Sequence, residues 1–249
     1  MKCFDAHIHS EGRSAEDLAF MAENGIKVVV TCAFYPIRPK YQETMIDLFR
    51  KLTEFERRRG KKAGMELFAA IGIHPRCIPS SYDKILDFME HDTKSVAFGE
   101  IGLEEGNEKE IEVLVEQLKL AKEIDRCCIV HTPRRNKTEI TEKTVEILER
   151  IGFPERRVII DHVSLGTVEF ILRKGYYAGL TVEEGKLSID EVIQIVETYG
   201  FDYFVLNSDT GFSPSEKVLV VKAAQKLEEK FGNGARKVYW DNAVEFFGI

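Results

Sequence analysis

The chain lacks any long apolar run. Its apolar stretches, such as Val28 to Val30 and Cys127 to Val130, are far shorter than the ~20 residues of a membrane span. The opening, Met1-Lys2-Cys3-Phe4-Asp5-Ala6-His7, has no apolar segment of the kind a secretory leader needs. Cysteine is scarce and unpatterned: Cys3, Cys32, Cys77, Cys127 and Cys128 make an odd count, with no CxxC and one vicinal pair. That usage predicts no disulfide framework and a reducing, cytoplasmic setting. Thiols within apolar runs are expected to be buried and inert. No Pro/Gly/Ser stretch is long enough for a linker, and no segment is low in complexity. Positive charge is in deficit, 35 Lys and Arg against 42 Asp and Glu, for a net charge of -7. A global polyanion is a poor default binder of nucleic acid unless its basic residues are gathered locally.

What is present is an alternation. With 44% apolar residues and 249 positions, the chain can bury roughly 70–75% of its unfolded surface. Eight β-rich runs stand out: Lys2–Ile8, Lys27–Ala33, Glu66–Ile73, Ser95–Ile101, Cys127–His131, Val158–His162, Tyr176–Leu180 and Phe201–Asn207. Amphipathic helical patterns fall between them, among them Tyr41–Arg59, Glu108–Ile124 and Ser213–Phe231. Capping boxes open two helices, at Ser188 with Glu191 and at Ser213 with Glu216. Gly25, Gly60, Gly152, Gly175 and Gly200 follow helical runs, where left-handed C-caps are wanted. From His9 to Asp209 seven steps cover 200 residues, about 29 per unit, the length of a βα repeat in a parallel sheet. Such units build either an open doubly wound sheet or a (β/α)8 barrel. The first gathers a site at one switch point, the second from many strand ends.

The polar residues favour the barrel, as one domain over residues 1–249. Of six histidines, His7, His9, His131 and His162 fall at strand ends, His74 directly follows a strand, and His91 ends a helix as a surface residue. Glu100 lies near the end of the fourth strand and Asp209 just beyond the eighth. His7 and His9, two apart on a strand, project to one face. Six N and O donors from five strands predict a metal site. Mixed imidazole and carboxylate donors suit Zn or Mn, and also Fe, Co or Ni, better than Mg or Ca. Four histidines and two acids can hold two ions with a carboxylate between them, an arrangement suited to hydrolysis.

Seven segments carry a family resemblance. They are Asp5-Ala-His-Ile-His9, Ala70-Ile-Gly-Ile-His-Pro75, Gly99-Glu-Ile-Gly-Leu103, Glu116-Gln-Leu-Lys-Leu-Ala-Lys122, Val130-His-Thr132, the strand ending in His162, and Ser208-Asp209. In this order they resemble the TatD-related metal-dependent hydrolases, within the amidohydrolase-like barrel enzymes. The resemblance implies a (β/α)8 barrel with one or two divalent ions, Zn, Mn or Mg. It implies that His7 and His9 hold the first ion, Glu100 bridges, and His131 and His162 hold the second. Asp209 would ligate the first ion and orient or deprotonate the attacking water. His74 matches the GIHP histidine and is expected to contact substrate. Glu104 stands where Asp is usual, and the segments Thr132–Lys137, Asp161–Ser164 and Asn207–Gly211 also depart from the family pattern. These departures resemble a divergent, archaeal-like branch.

Over the expected top loops, Arg13, Arg38, Lys40, Arg76, Arg134, Arg135, Lys137 and Lys186 outnumber Glu11, Glu104, Glu105, Glu183 and Glu184. The catalytic rim of an acidic protein is therefore expected to be positive, with Arg38, Arg134 and Arg135 contacting an anionic substrate. The expectation is a metal-dependent phosphodiesterase acting on DNA or RNA ends, with no membrane partner. The rivals are hydrolysis of a small amide, lactone or phosphomonoester, and a non-catalytic metal-binding protein.

Overall fold

The β-branched runs pair in strict chain order. The computed structural model describes residues 1–212 and 215–249. Its strands are β1 (Cys3–Ile8), β2 (Ile26–Cys32), β3 (Glu66–Ile71), β4 (Ala97–Gly102), β5 (Cys128–His131), β6 (Val158–Ile160), β7 (Tyr177–Thr181) and β8 (Phe204–Asn207). They form one sheet in the order β1 to β8, each neighbouring pair parallel. The helices are α1 (Ala15–Glu23), α2 (Gln42–Arg50), α3 (Arg57–Ala63), α4 (Asp83–His91), α5 (Glu108–Glu123), α6 (Lys137–Ile151), α7 (Val168–Arg173), α8 (Ile189–Tyr199), α9 (Leu219–Phe231) and α10 (Asn242–Phe247). A helix between successive parallel strands is what each crossover requires, and the expected (β/α)8 architecture results.

The barrel closes just beyond β8. His9 N–H donates to the Thr210 carbonyl at 2.8 Å, and Asp209 N–H to the His7 carbonyl at 2.9 Å. Ile8 and Thr210 form a parallel bridge there. The seam thus lies between the residues that carry the polar side chains of the mouth.

Two apolar layers hold the fold. The outer one packs helices on the barrel wall. On α5, Val113, Leu114, Gln117, Leu118 and Ala121 are buried, at the spacing of one helical face. Gln117 also clamps Ile73: its Oε1 accepts from Ile73 N–H at 2.7 Å, and its Nε2 donates to Ile73 O at 3.2 Å. That clamp fixes the backbone beside His74. The inner layer joins Phe4, Ala70, Ala97, Ile129, Ile159 and Val205 to Phe246 and Phe247 of α10. Phe247 stacks on Phe4 with ring centroids 5.8 Å apart. The C-terminal helix therefore plugs the end opposite the site. Burying each of the Phe, Ile and Val side chains here stabilises the fold by about 1.5–3 kcal/mol.

Some helix limits differ from the sequence reading. The Tyr41–Arg59 pattern runs on to Ala63, through a π-helical stretch at Lys51–Glu56. Gly60 is buried inside this helix, against Leu67, and Gly64 with φ 89° is the left-handed cap. Both halves of the Ser188 capping box are present. The box expected at Ser213 falls partly outside the described residues, and α9 begins at Leu219. Among the described residues, no helix is long and apolar enough to cross a membrane.

Candidate metal centre

Every strand-end donor predicted from the sequence faces one cavity or lies in its floor. This cavity, of about 840 Å³, opens at the C-terminal ends of the strands. Glu100, buried on β4, is its hub. Its Oε1 lies 2.7 Å from His131 Nδ1 and 2.9 Å from His162 Nε2. Its Oε2 lies 3.5 Å from His7 Nε2, 3.9 Å from His9 Nε2 and 3.8 Å from His74 Nε2. One carboxylate oxygen thus serves the β5–β6 histidines and the other serves the β1 pair. Asp209 approaches from β8, with Oδ1 3.1 Å from His9 Nε2 and 3.5 Å from His7 Nε2.

The other ring nitrogen of each of these four histidines is spoken for. His7 Nδ1 meets Asp161 Oδ2 at 2.6 Å, and His9 Nδ1 meets the Cys32 carbonyl at 3.0 Å. His162 Nδ1 meets Thr181 Oγ1 at 2.8 Å, and His131 Nε2 meets Glu104 Oε2 at 2.8 Å. Such outer partners fix ring orientation and leave the inner nitrogen to face the centre. His7 Nε2 is the telling atom. It is buried and has no hydrogen-bond partner among the described residues, an arrangement that costs free energy unless something fills it. At this cavity, three sets of donor atoms among the described residues lie within ligating reach of one another: His7 with His9 and Glu100, His7 with His162 and Asp209, and His74 with Glu100 and His131. The buried donor set fits a divalent ion, and its mixed N and O chemistry suits a first-row metal.

Backbone conformation sharpens the placement. His162 and Asp209 adopt left-handed φ values of 56° and 49°, uncommon for non-glycine residues and concentrated at functional sites. Gly179 on β7 makes room for Asp161, because a Cβ there would run into the Asp161 carboxylate.

The electrostatics follow from burial and close charge. Burial pushes the Glu100 carboxyl up, but the His7 and His131 imidazoles outweigh it and hold the group well below the usual range. For Asp209, burial is outweighed by the Lys186 ammonium and the His9 hydrogen bond, again to well below the ordinary value. Burial opposes charge on His131, yet Glu100 and then Glu104 raise it to about 9. Burial and Lys186 lower His162 to about 4. Burial, reinforced by His131, holds His74 well below its ordinary value. His74 Nδ1 accepts from Arg76 N–H at 3.0 Å. The neutral ring therefore carries its proton on Nε2, directed at the centre, as a donor rather than a ligand lone pair.

The rim differs from the sequence reading. Arg76, Arg134, Arg135 and Lys186 line the cavity, against Glu104, Glu105 and Glu183 outside the donor set. Arg38 is exposed but absent from that lining, and its Nε donates to the Ile78 carbonyl at 3.0 Å. Arg13 turns inward to Thr210 Oγ1 at 2.6 Å. Lys137 pins the ends of β5 and β6, donating to Thr132 Oγ1 at 2.9 Å and to the His162 carbonyl at 2.6 Å. His91 is exposed, away from the cavity. Two residues have roles at the site that sequence reasoning did not assign to them. Asp161 orients His7, and its signal was an acid directly after the apolar run Val158–Ile160. Lys186, 8% exposed, places its Nζ against Asp209 Oδ2 and 3.4 Å from His162 Nδ1.

Comparisons with known proteins bear on the family and the fold. A family model described as TatD related DNase matches residues 4–248. An uncharacterized metal-dependent hydrolase of Methanocaldococcus jannaschii is 38% identical over 212 residues, covering 83% of each chain. The crystal structure of a TatD-like protein from Archaeoglobus fulgidus is 45% identical, with a TM-score of 0.87, over 99% of this chain and 100% of that one. The phosphotriesterase homology protein from Escherichia coli, solved with phosphate in its active site, shares 14% identity and a TM-score of 0.73 over 99% and 98% of the two chains. At that identity it speaks for the fold alone.

Proposed function

The chain belongs to the TatD related DNase family, and on that premise we propose that it hydrolyses phosphodiesters at DNA or RNA ends. The observation that carries this reading is the division of Glu100 between two histidine sets, beside His7 Nε2, which has no hydrogen-bond partner among the described residues. His7, His9 and Asp209 would hold one divalent ion, His131 and His162 a second, with Glu100 shared. When bound, such ions supply Lewis acidity and lower the pKa of water.

The chain's own residues do the rest. Asp209, held ionised by Lys186 and His9, takes the proton of the attacking water. His74 Nε2–H donates to a substrate oxygen. Arg134 and Arg135, exposed on the loop after β5, meet phosphate oxygens, a task that the planar guanidinium suits. Arg76 lines the same cavity. The three guanidinium groups that line the cavity, Arg76, Arg134 and Arg135, favour an anionic ester despite the net charge of -7.

A hydrolysis panel on metal-reconstituted protein tests the reading. It comprises single-stranded DNA, RNA, a phosphodiester dye, a phosphomonoester and a lactone, run beside Glu100→Gln. Phosphodiester turnover lost in Glu100→Gln supports the proposal. Faster turnover of the lactone or the phosphomonoester replaces it with that chemistry.

A further inference from the structure

One carboxylate in the cavity wall stands between two cations. Glu183 Oε2 lies 3.1 Å from Arg134 Nη2 and 3.3 Å from Lys186 Nζ. A tight turn makes the meeting local: Lys186 N–H donates to the Glu183 carbonyl at 3.0 Å. Gly185 supplies the left-handed φ of 77° that this turn needs. Arg134 lies over this turn, with its Nη1 3.5 Å from where a Gly185 Cβ would stand. Lys186 is itself fixed, because Asp209 and Glu183 hold its buried ammonium.

We propose that Lys186 and Arg134 form an anion subsite that Glu183 fills in the free protein. Its ligand is a terminal phosphoryl group of the substrate, separate from the phosphodiester that is cleaved. Three features point to a stand-in rather than a structural pair. The Arg134 side chain is 62% exposed, so its pairing with Glu183 holds the loop only weakly. A phosphoryl group carries more charge than a carboxylate and can take the guanidinium through two oxygens. The displaced Glu183 has somewhere to go, because Arg134, Glu183 and Lys186 also line a neighbouring cavity of about 1100 Å³. Glu183 thus sits in the partition between two cavities and can exchange one for the other. The subsite takes its physiological meaning from the phosphodiester reading above, whereas phosphate binding in itself does not depend on it.

Two measurements test it on metal-loaded protein. Calorimetric titration with inorganic phosphate is expected to show about tenfold tighter binding in Glu183→Gln than in the wild type, a gain of ~1.4 kcal/mol. Adding Arg134→Gln is expected to abolish that gain. Equal affinity in Glu183→Gln and wild type, or a gain that survives Arg134→Gln, overturns the subsite. The second measurement is the kcat/KM ratio for a 5′-phosphorylated over a 5′-hydroxyl dinucleotide. It is expected to rise in Glu183→Gln and to fall toward one in Arg134→Gln. Arg134 is exposed, so this second variant keeps the test open if Glu183→Gln does not fold. A chain that cleaves neither dinucleotide yet shows the calorimetric gain keeps the subsite and loses the phosphodiester reading. A chain that cleaves both, with one ratio in every variant, keeps that reading and loses the subsite.

Discussion

Asp209 is joined to His7 twice. Its backbone N–H donates to the His7 carbonyl at 2.9 Å, and its Oδ1 lies 3.5 Å from the His7 Nε2. The first contact closes the barrel and the second assembles the site, so one seam sets both. The two roles separate in Asp209→Asn, which keeps the backbone bond but loses the charge and one of the two acceptor oxygens. Its metal-free melting temperature is expected to fall by several degrees with the fold retained, because the buried Lys186 ammonium keeps only Glu183 as an anionic partner. Hydrolysis is expected to fall by ~10²–10⁴, the usual worth of a positioned general base. Thermal melts and single-substrate kinetics check the pair, and full activity in this variant would remove Asp209 from the mechanism.

Asp161 does for His7 what no neighbour in sequence could. It takes the His7 Nδ1 at 2.6 Å, while its Oδ1 accepts from Asn207 Nδ2 at 2.8 Å and from His162 N–H at 2.9 Å. An amide cannot serve all these donors, since one of its two polar atoms is itself a donor. Asp161→Asn is therefore expected to weaken divalent-ion affinity by about 10–100-fold. Gly179→Ala, which crowds the same carboxylate, is expected to cost ~1–3 kcal/mol of stability and to weaken the metal as well. Competition with a chelating dye measures both variants, and unchanged affinity in both would show that Asp161 does not orient the site.

Metal uptake is expected to depend on pH through His131. In the metal-free protein Glu100 and Glu104, against burial, hold its pKa at about 9 rather than 6.5. The protonated ring cannot ligate, so apparent affinity rises with pH by up to about tenfold per unit until ~9. The stability sign is opposite. A raised histidine pKa stabilises the metal-free fold fully below about 6.5, and that contribution is lost as pH climbs through about 9. The gap in melting temperature between metal-loaded and metal-free protein should widen across that window. Calorimetry in buffers of different ionisation enthalpy counts the released proton. No proton release at pH 7.5 would contradict this coupling.

The fold and the donor set were legible because both rest on local rules. Strand-end histidines two apart share a face whatever the tertiary structure, and the eight apolar runs needed only short crossovers to pair in order. What escaped depends on distance in sequence. The contact between His7 and Asp161 spans 154 positions, and nothing near His7 announces it. Counting rim charges by loop also misassigned side chains, because a long cation goes to the nearest acceptor. Arg38 spends its Nε on the Ile78 carbonyl, Arg13 reaches Thr210, and Lys137 caps the ends of two strands. Lys186 was counted as a rim charge and lies instead against Asp209. The helix after Tyr41 overran its expected end because Gly60, read as a stop, is accommodated by close packing on Leu67.

The opposite end of the barrel offers a control that separates folding from the site. Phe247 on α10 stacks on Phe4 and packs edge-on against Phe246 at 5.0 Å. Phe4 is fully buried, and Phe247 is 8% exposed. Phe247→Ala leaves a cavity at the plug and is expected to cost ~3–5 kcal/mol. Among the described residues Phe246 and Phe247 line no part of the cavity that holds Glu100 and the histidines, and distant sites act nearly independently. Divalent-ion affinity per folded molecule should therefore stay at the wild-type value while the denaturation midpoint falls. Urea titration with and without metal measures both quantities. A loss of metal affinity equal to that of Asp161→Asn would mean that the plug, and not only the strand ends, sets the geometry of the site.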